Sequence, residues 1–186
     1  MLFADIAGFT PLSATMEPDD IVRLLDGVFT AFDRLAAERG LEKIKTIGDA
    51  YMVASGLLEP SPRHAEDLAE MAIAMHQEVE RLGGMQLRIG IDIGPVVAGV
   101  IGRSKFIYDL WGDTVNTASR MESHSTPGEI QITRATYELL KDEFVCEPRG
   151  TILVKGKGQM ETWFLVGSRS DVPSETSERS SAAHGK

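Results

Sequence analysis

The stretch Lys43-Ile44-Lys45-Thr46-Ile47-Gly48-Asp49-Ala50-Tyr51-Met52-Val53 constrains the fold more than any other in the chain. Two short runs of strand-forming residues meet at Gly48-Asp49, which reads as a β-hairpin with a two-residue turn. Gly48 supplies the positive φ that a type II′ turn requires at its first central position. The chain must therefore build at least part of its sheet antiparallel. The turn carries a carboxylate, Asp49, and the strand leading to it carries Lys45, four positions earlier. One reading is a solvated turn with a salt bridge nearby. The other is a metal ligand beside a residue that reads a substrate.

The segments around the hairpin place it in a topology. Residues 2–6 alternate as a strand. Ile21, Leu25, Val28, Phe29, Phe32 and Leu35 recur at helical spacing and predict a helix over 19–38, with Asp19 and Asp20 in its first turn and Gly40 closing it. After the hairpin, about 41–55, Leu68, Met71, Met75, Val79 and Leu82 form one stripe and predict a second helix over 64–82. The run "MQLRIGIDIGPVVAGVIG" gives two strands joined around Gly94-Pro95. "FIYDLWGD" leads from a strand into a helix starting at Asp113 or Thr114 and ending near Ser123. A strand in "GEIQIT", a short helix in "RATYELL" and strands at about 151–154 and 160–165 follow. The order β-α-β-β-α-β with a C-terminal extension is the ferredoxin-like plan, an α+β fold with an antiparallel-rich sheet and helices on one face. Residues 1–166 are expected to be one domain. Residues 167–186 are polar and poor in apolar side chains, and are expected to form a disordered tail.

Charge excludes one class of partner. The net charge of −9 argues against a nucleic-acid binder that relies on phosphate contacts. A polyanionic substrate needs a locally positive site. The single cysteine, Cys146, forbids an intrachain disulfide and fits a reducing, cytoplasmic setting. No apolar run is long enough to span a bilayer. The chain opens directly on a strand, so an excised domain is expected, its parent carrying upstream sequence such as a membrane anchor.

Three groups of residues carry candidate chemistry. Asp5 ends the first strand and Asp49 tips the hairpin. In a ferredoxin-like sheet these are neighbours, and paired aspartates suit a hard divalent cation. Gly8, in "IAGFTPLS", lets backbone N–H groups approach an anion near the helix start at Thr10-Pro11. Asn116 and Arg120 lie four apart on one helix face, an amide and a guanidinium suited to a sugar oxygen and a phosphate. Val115, Ala118 and Met121 would pack across that face.

"LFADIAGFT", "KIKTIGDAYM", "YDLWGDTVNTASRME" and "VKGKG" together resemble the catalytic domain of class III nucleotidyl cyclases, in particular bacterial adenylate cyclases of the mycobacterial type. The resemblance covers about residues 1–166. It implies a head-to-tail homodimer with active sites at the interface. It implies two Mg²⁺ or Mn²⁺ ions held by Asp5, Asp49 and the Ile6 carbonyl. The backbone of Ala7, Gly8, Phe9 and Thr10 would hold the β- and γ-phosphates, with Lys155 on the terminal phosphates. Either Arg103 or Lys105 would add a further phosphate contact. Asn116 would position the ribose, and Arg120 would stabilise charge on the α-phosphate.

Within that resemblance the base edge points to ATP. Adenine offers an acceptor at N1 and a donor at its 6-amino group, and guanine the reverse. Lys45 only donates and an ionised Asp109 only accepts, which matches adenine. Guanylate cyclases resembling this domain carry Glu and a small residue such as Cys at these positions. The expected reaction is therefore ATP to 3′,5′-cyclic AMP and pyrophosphate. A diguanylate cyclase core shares the fold, but its hairpin reads GG[DE]EF. A degenerate, non-catalytic cyclase relative typically lacks one of the site residues, whereas here every position is filled.

Overall fold

A computed structural model describes residues 1–102 and 107–170. The elements run β1 (Leu2–Ile6), α1 (Phe9–Ser13), α2 (Pro18–Glu38), β2 (Glu42–Ile47), β3 (Ala50–Ala54), α3 (His64–Gly83), β4 (Leu87–Ile91), β5 (Val97–Ile101), β6 (Ile107–Trp111), α4 (Asp113–His124), β7 (Ile130–Thr133), α5 (Arg134–Leu140), β8 (Phe144–Val154) and β9 (Gly158–Ser168). Seven strands form one sheet in the order β2-β3-β1-β4-β7-β9-β8, and β5 and β6 form a separate two-stranded ribbon. The first four of those strands, with α2 and α3, make the expected βαββαβ core. β7 extends it parallel to β4, and β9 and β8 continue it antiparallel.

Strand alternation divides β1 between two cores. Leu2, Ala4 and Ile6 face α2 and α3, where Val28, Phe32, Leu35, Leu68, Met71, Met75 and Val79 are buried with Leu87, Ile89 and Ile91 of β4. The methionine stripe is therefore ordinary core. Its packed part ends at Val79, and Leu82, in the last turn, is exposed. Met1 and Phe3 face the other way, into a smaller cluster with Met52, Leu110 and Ala118.

That second cluster exists because α4 covers the opposite side of the sheet. The plan with helices on one face thus holds for α2 and α3, and α4 departs from it. Gly90 explains how α4 sits so close. A Cβ there would lie 2.0 Å from the Glu122 backbone nitrogen and 2.5 Å from the Ala118 carbonyl oxygen. Only a residue without a side chain lets the helix backbone reach the strand.

The C-terminal strands are longer than their sequence pattern. β8 begins at Phe144 and not near 151, and β9 reaches Ser168 and not 165. β8 is hidden from periodicity by Pro148-Arg149-Gly150 and by register shifts at Val145/Cys146 and Pro148/Gly150. Residues 171–186 of the expected tail lie outside the described residues.

Candidate active site

Asp5 and Asp49 are brought together by strand register. β1 pairs antiparallel with β3, and Asp5 stands opposite Ala50, the residue after Asp49. Ile47 pairs with Ala50, leaving Gly48-Asp49 as the two-residue turn. Gly48 has φ 62°, and no described non-glycine residue has positive φ. This is the pattern of the expected type II′ turn. Burial raises the Asp49 carboxyl above its ordinary value, and the adjacent Asp5 pushes it further the same way, while Arg88 pulls it back.

Two residues at this site have no sequence signal of their own. Arg88, on β4, stands directly opposite Asp5 across the β1–β4 ladder and donates from Nη2 to Asp5 Oδ2. Its Nε lies 3.6 Å from Glu122 Oε1 on α4. Burial, then the Asp5 charge, raises Glu122 to about 7, with Arg88 opposing. Neither residue is marked by spacing. Only the sheet register puts Arg88 beside Asp5, and only the α4–Gly90 contact puts Glu122 beside Arg88.

Lys45 does not pair with Asp49. Its Nζ lies 2.5 Å from Asp109 Oδ2, across β2 and the ribbon strand β6. Asp109 Oδ1 also accepts from the Leu110 backbone N–H at 2.9 Å. Burial works to raise the Asp109 carboxyl, but Lys45 and that N–H outweigh it and hold it below its ordinary value. The two residues expected to read one base thus meet on one chain, 64 positions apart in sequence.

On α4, Ala118 and Met121 are buried and Val115 is packed against the smaller core, while Asn116 and Arg120 are exposed. Among the described residues the Asn116 and Arg120 side chains have no hydrogen-bond partner. Lys155 is exposed in the β8–β9 turn. The second lysine of "VKGKG", Lys157, is instead ion-paired with Asp113 at the start of α4. Gly8 takes φ 74° and caps the short helix α1. The Ala7 N–H is spent on the Gln86 carbonyl at 2.8 Å, which, among the described residues, leaves the N–H groups of Gly8, Phe9 and Thr10 free at that helix start. The Ile6 side chain is buried in the core, which leaves its backbone alone to serve the site. Arg103 and Lys105 lie outside the described residues.

The model of the adenylate and guanylate cyclase catalytic domain matches residues 1–167. The chain belongs to this family. The cyclase domain is 50% identical over 174 residues to an adenylate cyclase of Mycobacterium tuberculosis, an alignment that covers 91% of the chain and 39% of the relative. It therefore spans about two fifths of the length of that protein. Its fold matches the guanylate cyclase domain of a Catenaria anguillulae protein solved with GTP, at TM-score 0.86 and 37% identity, covering 90% of this chain and 95% of that one. It also matches an adenylyl cyclase of P. aeruginosa at TM-score 0.83 and 32% identity, covering 92% and 94%. Proteins named as adenylate cyclases and as guanylate cyclases thus both resemble this cyclase domain.

The donor set of the cyclase domain fits a divalent cation. Asp5 and Asp49 offer two hard carboxylate donors whose mutual repulsion a cation would relieve. No group of three or more His, Cys, Asp or Glu among the described residues is set to hold an ion. Mg²⁺ uses one or two carboxylates and completes its shell with water and substrate phosphates. No helix among the described residues is long and apolar enough to cross a membrane.

Proposed function

We propose that residues 1–166 form an adenylate cyclase unit that converts ATP to 3′,5′-cyclic AMP and pyrophosphate, working as a head-to-tail homodimer on the cytosolic side. The observation that carries this reading is the separation of two clusters on one chain. Asp5 and Asp49 meet at the hairpin turn, while Lys45 and Asp109 meet between β2 and the ribbon. A site shared by two copies would take its carboxylates from one and its base readers from the other. Exposed Val97, Val100, Ile101 and Trp111 on the ribbon support a second copy as the partner.

Asp5, Asp49 and the Ile6 carbonyl would hold two Mg²⁺ or Mn²⁺ ions, which would supply charge neutralisation at the triphosphate and acidify the ribose 3′-hydroxyl. The N–H groups of Gly8, Phe9 and Thr10 cradle the β- and γ-phosphates. Lys155 reaches the terminal phosphates, with Arg103 or Lys105 as a further contact. Asn116 orients the ribose so that its 3′-oxygen faces the α-phosphorus in line with the pyrophosphate leaving group. Arg120 meets the charge that builds on the α-phosphate. Both side chains are exposed and, among the described residues, unpartnered, which leaves them accessible to a substrate. Lys45 donates to adenine N1 and Asp109 accepts from the 6-amino group. Chemistry of this type asks little covalent work of the protein, so positioning and electrostatics dominate.

The deciding experiment incubates the purified domain with ATP and Mn²⁺ and measures cyclic AMP and pyrophosphate, with sedimentation in parallel. Equimolar products from a dimer support the proposal. No product from a protein that dimerises and binds ATP would leave a purely regulatory domain.

A further inference from the structure

Among the described residues, two buried polar atoms near the carboxylate pair have no hydrogen-bond partner: Arg88 Nε and Glu122 Oε1. They face each other at 3.6 Å, beyond hydrogen-bond reach. The other end of the same guanidinium is engaged, donating from Nη2 to Asp5 Oδ2. Glu122 is 9% exposed, among the few buried charged side chains of the domain.

A pair kept only for stability is a poor account of this arrangement. A buried ion pair gains little over apolar residues of the same volume, and leaving its polar atoms unmatched makes it worse. What the arrangement does accomplish is mechanical. Asp5 stands between the Asp49 turn on β3 and Arg88 on β4, both fixed by strand register. Arg88 lies two residues before Gly90, on the sheet face that α4 touches through the Glu122 backbone. The planar fork of a guanidinium can reach two carboxylates at once, which an ammonium cannot do with the same fixed geometry.

We propose that Arg88 and Glu122 are positioning residues for the cation site. Glu122 steadies the guanidinium, and the guanidinium holds Asp5 by Oδ2 and leaves Oδ1 for the ion. This rests on Asp5 and Asp49 being the cation ligands. It also ties the seat of α4, which carries Asn116 and Arg120, to the seat of Asp5.

The test is Mn²⁺ binding without nucleotide, followed by electron paramagnetic resonance on samples with native circular dichroism. The proteins are the unmodified domain, Asp5→Ala, Arg88→Lys, Glu122→Met and the Arg88→Lys/Glu122→Met double variant. Arg88→Lys keeps the charge and loses the fork, so a purely electrostatic role leaves Kd unchanged. The positioning role raises Kd about tenfold or more, the usual effect of losing an outer partner of a metal ligand. Because both residues act through one bridge, the double variant loses no more than the worse single variant. Arg88→Lys binding Mn²⁺ as tightly as the unmodified domain, or additive losses in the double variant, overturns the proposal. If Glu122→Met does not fold, Arg88→Lys alone decides. Absent binding in the unmodified domain, or undiminished binding in Asp5→Ala, overturns the cation reading and this proposal with it. Lost binding in Asp5→Ala with normal binding in Arg88→Lys overturns the positioning role alone.

Discussion

Lys45 and Asp109 form an ion pair at 2.5 Å between β2 and β6, and neither is paired with the aspartates at the hairpin turn. The pair presents one donor and one acceptor side by side, which is the complement of an adenine edge. Guanine would leave both mismatched, at about 1–3 kcal/mol each. Lys45→Glu with Asp109→Cys is expected to move the preference from ATP toward GTP by about a hundredfold in kcat/KM, since each 1.4 kcal/mol is tenfold. Parallel assays of cyclic AMP and cyclic GMP check this. An unchanged ATP preference in the double variant would end the base-edge explanation.

Asp5→Ala and Asp49→Ala would each remove one of the two carboxylates of the proposed cation site. Either is expected to lower Mn²⁺-dependent turnover about a thousandfold or more, because the ions supply several kcal/mol of charge stabilisation. Far-UV circular dichroism should stay native, since both side chains lie at strand ends and not in the packed cores. Full activity in a folded Asp49→Ala protein would refute the assignment.

A shared site has a consequence that neither single variant reveals. Lys45→Ala and Asp49→Ala are each expected to be nearly inactive alone. Mixed, they should recover a substantial part of the activity, because one of the two sites in each heterodimer keeps both intact halves. Activity against mixing ratio measures this, with tagged heterodimers isolated as a control. Dead heterodimers would disprove the head-to-tail arrangement.

Gly90→Ala is expected to be among the most destabilising small substitutions in the domain. The new Cβ would meet α4 backbone at 2.0 Å, and neither the helix nor the central strand can shift cheaply. A loss of about 3 kcal/mol or more is expected from overpacking of this severity, read by urea unfolding. Alanine at Gly27, on α2, where a Cβ meets nothing within 4 Å, should instead be neutral or slightly stabilising.

Glu122 gives a pH dependence with a definite sign. Its folded value is raised from 4.5 to about 7 by burial, then by Asp5, against the pull of Arg88 and with a smaller push from Asp49. The folded state therefore binds the proton more tightly than the unfolded chain. Its contribution to stability is present below about pH 4.5 and is lost as pH rises toward 7. With cations chelated, Glu122→Gln should gain stability relative to the unmodified domain between pH 5 and pH 7.5, by about 1–3 kcal/mol. Thermal unfolding at the two pH values reads this difference directly.

Much of this was legible in the residues alone. The hairpin and its type II′ turn follow from Gly48 and the flanking strand residues. The helices follow from apolar spacing, and the βαββαβ order follows from their sequence. The candidate ligands, base readers and α4 residues stood in recognisable motifs. These are local properties, set by backbone preference and by side-chain periodicity, so neighbouring residues carry the whole signal. β8 was missed where its bulges and Pro148 interrupt that periodicity. The exposed end of the α3 stripe at Leu82 was missed because periodicity does not say where packing stops.

What tertiary structure alone decided is which unmarked residues join the site. Strand register sets Arg88 against Asp5. The absence of a side chain at Gly90 lets α4 come down on the second face of the sheet and bring Glu122 with it. The head-to-tail dimer that the resemblance implies already has the hairpin serve two sites, Asp49 in one and Lys45 in the other. The fold turns Lys45 toward Asp109 and sets Asp49 beside Asp5, because residues on one hairpin diverge in direction while residues far apart in sequence converge.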